Sequence, residues 1–145
     1  MSRKEFVRLM EENVLILDRL KDRLHLAPEN VTGYPRNLMR VLVRLWLCGR
    51  ARIKDIVRRE GVSAPNLCAA FRKLERDGLV LRVADDTDRR NVWYSVTDAG
   101  QDLAARAMEN FRIGIEAVFA GMSPDDEAKL TSALKTMNKV LKNME

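Results

Sequence analysis

IKDIVRREGVSAPNLCAAFRKLERDGLVLRV, residues 53–83, is the stretch on which the fold of this 145-residue chain turns. Ile53, Ile56 and Val57 recur at steps of three and one, placing them on one helical face, and Gly61 closes that short segment at Glu60. Ser63 suits the cap of a following helix and Pro65 its first turn; the spacing predicts a helix to Asp77, stopped by Gly78. From Leu79 the pattern switches to that of strands. Leu79–Val83 reads as one strand, 84–90 as a polar loop, and Asn91–Val96 as a second strand rich in β-branched and aromatic residues. Two short helices joined by Gly61-Val62-Ser63 suggest a helix-turn-helix, a weak signal alone. A charged hairpin directly after the second helix sharpens it to a winged helix-turn-helix.

Outward from this centre the chain reads as helix. Pro35 to Cys48 carries Leu38, Val41, Leu42, Leu45 and Trp46 on one side. Phe6, Val7, Met10, Val14, Leu17, Leu20 and Leu24 mark a first helix over Arg3–Leu26. Thr97 or Asp98 caps a long helix to about Ala120, and Ser123-Pro124-Asp125-Asp126 opens a last one striped by Leu130, Leu134, Met137 and Leu141. The fold class is therefore mainly α: an α+β winged helix-turn-helix core with N- and C-terminal helices forming a dimerisation lobe. The expected organisation is a single subunit, 1–145, with a winged DNA-binding lobe at 36–100 and dimerisation helices at 1–30 and 101–145. The terminal stripes exceed what the small core can cover, which argues for an isologous homodimer. The plain alternative is that both helices fold back on their own subunit.

Apolar residues at 46% and charged residues at 32% give an ordinary globular balance, while 6% aromatics argue against a β-sandwich. The net charge of +5 favours an acidic partner, nucleic acid foremost, once the charge is found clustered. Two cysteines, Cys48 and Cys68, form no disulfide framework, no N-terminal signal is apparent, and no run is long enough to span a bilayer. The expected location is the cytoplasm, with no membrane partner.

The predicted second helix of the pair separates into two faces. At about 100° per residue, Leu67, Phe71 and Leu74 cluster on the buried side, flanked by Ala70. Ser63 precedes the opposite side, which holds Pro65, Ala69, Arg72 and Arg76, with Asn66 and Lys73 at one edge and Cys68 at the other. Small residues let a backbone approach a groove; Asn66 suits a base edge, and Arg72, Lys73 and Arg76 suit phosphate or guanine. At the hairpin tip, Arg89 or Arg90 reads as a minor-groove probe and Asp88 as the carboxylate that braces it. The bland counterparts are a solvated amphipathic helix and a charged turn.

Residues Asn37 to Gly100 resemble the MarR family of bacterial regulators. Four pieces in order carry the resemblance: Gly61-Val62-Ser63, the run from Leu74 to Arg82, Asp88-Arg89-Arg90, and Ser95-Val96-Thr97-Asp98-Ala99-Gly100. The resemblance implies a winged-helix dimer on a roughly palindromic operator. It also implies release of the DNA by a small phenolic or other aromatic ligand, a metal ion or an oxidant. By position it assigns Ser63, Pro65, Asn66, Ala69 and Arg72 to the DNA side, Arg90 to the wing tip and Asp88 to its brace. Ala64-Pro65-Asn66 stands where the family usually carries serines and threonines, and Ala69 where arginine is common, so the family's operator sequence does not transfer.

Met10, Tyr34, Met39 and Trp46 could line an effector pocket, although such residues are more often plain core. His25, the only histidine, makes no metal-ligand spacing with the cysteines, and no cofactor is implied. The chain lacks the N-terminal cysteine of the family's peroxide-sensing branch. Cys48 reads as a small buried filler. Cys68 offers a redox alternative, in which its oxidation weakens DNA binding by adding charge or bulk at the groove. A winged helix that binds only protein is the other alternative. Without paired carboxylates in an apolar setting, an activated nucleophile or a phosphate-cradling glycine loop, the sequence reads as no enzyme.

Overall fold

The computed structural model describes residues 2–23, 33–60, 63–85, 87–88 and 91–144. In chain order its elements are α1 (Arg3–Arg23), α2 (Arg36–Cys48), β1 (Arg50–Ala51), α3 (Ile53–Glu60), α4 (Ala64–Arg76), β2 (Val80–Ala84), β3 (Val92–Val96), α5 (Asp98–Phe119) and α6 (Pro124–Lys142). Mostly helix with a small antiparallel sheet, this is a winged helix. Among the described residues no helix is long and apolar enough to cross a membrane.

The sheet has three strands in the order β1-β3-β2, all antiparallel. β2 and β3 form the expected hairpin, with Val80 opposite Val96 and Ala84 opposite Val92. β1 was not legible: two residues, Arg50 opposite Ser95 and Ala51 opposite Tyr94, are too few to show an alternation. The remaining boundaries follow the sequence within a residue or two. The predicted extension of the first helix to Leu26 lies outside the described residues beyond Arg23.

The core draws on α2, α3, α4, the sheet and the first turns of α5. Leu42, Leu45, Phe71, Leu74 and Ala104 are fully buried, and Leu67 and Val80 nearly so. The Phe71 ring lies 4.4 Å from that of Tyr94 on β3, fastening α4 to the sheet. Burying a side chain of this size contributes about 1.5–3 kcal/mol. No described residue of α1 or α6 belongs to this core, and both helices expose apolar side chains: Phe6, Val7, Val14, Leu15, Ile16 and Leu17 on α1, Leu130, Leu134 and Leu141 on α6.

One joint holds α4, the wing and α5 together. Gly78 takes φ +72°, which lets the chain leave α4 in a left-handed turn. Its amide donates to the Glu75 carbonyl at 3.0 Å, and that of Leu79 to the Leu74 carbonyl at 2.9 Å. Thr97 caps α5 by accepting from the Gly100 amide at 3.0 Å, while its hydroxyl donates to the Gly78 carbonyl at 2.7 Å and its amide to the Leu79 carbonyl at 3.0 Å. The backbone of Gly100 packs so closely on Leu79 that an added Cβ would collide with the Leu79 carbonyl.

Gly100→Ala therefore forces two backbone segments apart. We expect a loss of about 1–3 kcal/mol in urea unfolding monitored by circular dichroism. An unchanged midpoint would show that the joint yields without cost.

Candidate nucleic-acid interface

With Leu67, Ala70, Phe71 and Leu74 buried, α4 must turn its other side to solvent. Pro65, Asn66, Ala69, Arg72, Lys73 and Arg76 are all exposed, as is Ser63 at the N-cap position. Ser63 makes no side-chain cap bond to the helix, so the first turn of α4 rests on Pro65, whose missing amide needs no partner. The structure thus collects the sequence-selected residues of this helix on one open face. Cys68 is half-buried at its border.

Within that set Lys73 stands apart. Its ammonium donates to Asp77 at 2.7 Å and lies 5.8 Å from the Tyr34 ring centroid. The Tyr34 hydroxyl donates to the same Asp77 carboxylate. The two donors, Lys73 first and Tyr34 second, hold the Asp77 carboxyl below the ordinary carboxylate range. Burial, together with the bond to Asp77, pushes the Tyr34 hydroxyl up to about 12. Lys73 is therefore engaged in tying the end of α4 to the segment before α2, a role that its place on the helical wheel did not reveal. Tyr34 is engaged in the same clasp.

At the wing, Arg89 and Arg90 lie outside the described residues, and with them the expected bracing of an arginine by Asp88. Asp88 itself is exposed; its backbone carbonyl accepts from the Asn91 amide at 2.8 Å, and its carboxylate from the Asn91 side-chain amide at 3.5 Å. The carboxylate that organises the root of the wing is Asp85. It accepts from the Thr87 amide at 3.1 Å, the Thr87 hydroxyl at 2.9 Å and the Trp93 indole at 3.3 Å. These bonds, the Thr87 amide foremost, lower the Asp85 pKa. An aspartate two residues before a threonine is an Asx-turn signal, and read as one it would have marked Asp85 as structural rather than as a charge facing DNA. Lys54 of α3 reaches the side-chain carbonyl of Asn91 at 3.4 Å and brings a further cation to the wing root.

The four residues considered for an effector pocket are placed differently from one another. Met39 is core, Tyr34 and Trp46 are half-buried against that core, and Met10 is exposed on α1. One expectation is corrected: Cys48 is exposed rather than a buried filler. Leu42 and Leu45 take the inward positions of α2, and the helix ends at Cys48, one turn on, where the chain leaves the core for β1.

An exposed face of this make-up on a helix beside a hairpin invites comparison with known proteins. The sequence model of the MarR family matches residues 34–92. Residues 34–92 are a MarR family domain. The "Uncharacterized HTH-type transcriptional regulator YwaE" of Bacillus subtilis is 29% identical over 95 residues, 66% of this chain and 56% of that protein. The "Homoprotocatechuate degradative operon repressor" of Escherichia coli is 31% identical over 81 residues, 56% of this chain and 55% of its own length. The matched stretch thus spans little more than half of either relative. In fold, the chain is similar to a mutant MarR from E. coli complexed with operator DNA, with TM-score 0.65, 16% identity, and coverage of 94% of this chain and 99% of that one.

The lowered Asp77 carboxyl gives the clasp a pH signature. Its stabilisation is complete above the unfolded value of 3.8 and is lost as pH falls through the lower folded value. In acid titrations of thermal stability, Asp77→Asn should flatten the fall that the unsubstituted chain shows below that range. Superimposable profiles would mean that the clasp contributes nothing.

Proposed function

We propose that this chain is a sequence-specific, DNA-binding transcriptional repressor that works in the cytoplasm as a homodimer on a pseudo-palindromic operator. The observation that carries the reading is the open face of α4, where Ser63, Pro65, Asn66 and Ala69 lead into Arg72 and Arg76 while the opposite side is sealed into the core. The slim N-terminal half suits close entry to a major groove, with Asn66 toward a base edge and the arginines toward phosphate or guanine. Arg90, with Arg89 beside it and Asp88 as brace, reaches the flanking minor groove from the wing. Relatives that are transcriptional regulators, one a repressor, support the reading, as does a similarly folded protein solved with operator DNA.

Two half-sites multiply the few base pairs that one helix reads. The apolar residues exposed on α1 and α6 supply the surface for a second copy, so that 36–100 acts as the DNA-binding lobe and the terminal helices as the dimerisation lobe. A small-molecule effector that loosens DNA completes the proposal.

On a duplex from the gene's own upstream region, Arg72→Ala or Arg90→Ala should each cost about 1–3 kcal/mol of binding by fluorescence anisotropy. A lost phosphate contact should also reduce the salt slope by about one. Weak binding of the same strength to every duplex would overturn the reading and leave a protein-binding winged helix. In sedimentation equilibrium the chain should run at twice its own mass, and Leu130→Asp with Leu134→Asp should return it to a monomer. A monomeric unsubstituted chain would remove the dimer from the proposal.

A further inference from the structure

We infer that Asp77 is a charge-masking residue: it keeps the Lys73 ammonium off the DNA and so sets how strongly the end of α4 grips phosphate. The inference rests on the DNA-binding reading above and concerns how that face is tuned. At about 100° per residue, Pro65, Ala69, Arg72 and Arg76 centre the open face of α4, Lys73 stands roughly 70° to one side, and Asp77 about 40° further in the same direction. The 2.7 Å bond to Asp77 therefore draws Lys73 away from the face that Arg72 and Arg76 share. Tyr34, whose hydroxyl donates to the same carboxylate, places its ring centroid 5.8 Å from the ammonium and adds a cation–π contact on that side.

Helix stability does not account for Asp77. It occupies the C-cap of α4, where the last carbonyls already carry partial negative charge and a carboxylate is disfavoured. A lysine four residues ahead of an aspartate is also the weaker order for a helical ion pair. An exposed pair by itself contributes little and would yield to a phosphate. Here a second donor, the Tyr34 hydroxyl, fixes the carboxylate, so the ammonium has a placed partner on the side away from the groove. Neutralising this one cation matters because phosphate contacts strengthen binding to every sequence alike. Withholding one of them lowers the hold on non-cognate DNA without touching the groups that read bases.

The test uses the full chain, checked for fold by circular dichroism, and measures its binding to operator and to a random-sequence duplex at several salt concentrations. Asp77→Asn should bind both duplexes more tightly, with a salt slope steeper by about 0.9 for each bound subunit. As salt falls from ~200 to ~50 mM, that is roughly threefold more affinity gained per subunit than the unsubstituted chain gains. Arg76 also feels the Asp77 charge, so a second variant assigns the effect: adding Lys73→Gln to Asp77→Asn should abolish the gain. An Asp77→Asn slope equal to that of the unsubstituted chain would overturn the inference, and so would a gain that survives Lys73→Gln. A further measurement needs no change at Asp77. The Lys73 Hε–Cε cross-peak in NMR, assigned by its absence from the Lys73→Gln spectrum, should hold its position when the unsubstituted chain is saturated with operator. Its displacement would mean that Lys73 leaves the clasp for phosphate, which overturns the inference as well. Equal binding of every duplex by the unsubstituted chain would remove the repressor reading, while the salt slopes would still decide whether Asp77 masks Lys73.

Discussion

The seating of one helix governs this structure. Phe71, Leu74 and Leu67 have almost no exposed surface, and Tyr94 meets Phe71 from the sheet. A helix buried along that stripe has no rotational freedom left. Whatever occupies the positions half a turn away must face solvent, and here those positions hold proline, asparagine, alanine and arginine. The display of this polar face is thus a by-product of hydrophobic packing. The same packing holds the hairpin beside it, since Tyr94 belongs to the wing strand that β1 and β2 flank.

The elements on which this seating depends could be read in the chain because each wrote a periodic pattern. Steps of three and four in α2 and α4, glycine stops at Gly49 and Gly78, and strong caps at Thr97 and Ser123 are local signals that tertiary packing did not override. β1 left no such mark, because a two-residue strand exists only through its pairing with β3. Cys48 was misplaced for a related reason: periodicity reports which side of a helix is apolar, not where the core stops along its length. The side-chain contacts were less legible still. Tyr34 and Asp77 are 43 positions apart, and no spacing rule connects them.

The acids of the wing illustrate how local bonding changes the meaning of charge. Read as a string, Asp85, Asp86 and Asp88 are three negative charges where a nucleic acid would approach. In the fold Asp85 turns inward to Thr87 and Trp93 and holds the two hairpin strands at a fixed opening. Arg50 and Arg52 lie over the same indole at 4.5 and 4.9 Å, so the root of the wing is stiffened by cation–π contacts as well as hydrogen bonds.

The joint at Thr97 has a mechanical consequence. α5 has 22 residues, and at 1.5 Å per residue it extends roughly 33 Å from that joint. Its first turn is bonded through Thr97 to the turn that ends α4, and Gly100 leaves no slack against Leu79. Such an arrangement is a stiff arm with its fulcrum at the end of α4. A tilt imposed on the arm at this joint is passed to the end of α4 through the Thr97 bonds and the Gly100–Leu79 contact, with no further side chain between to absorb it.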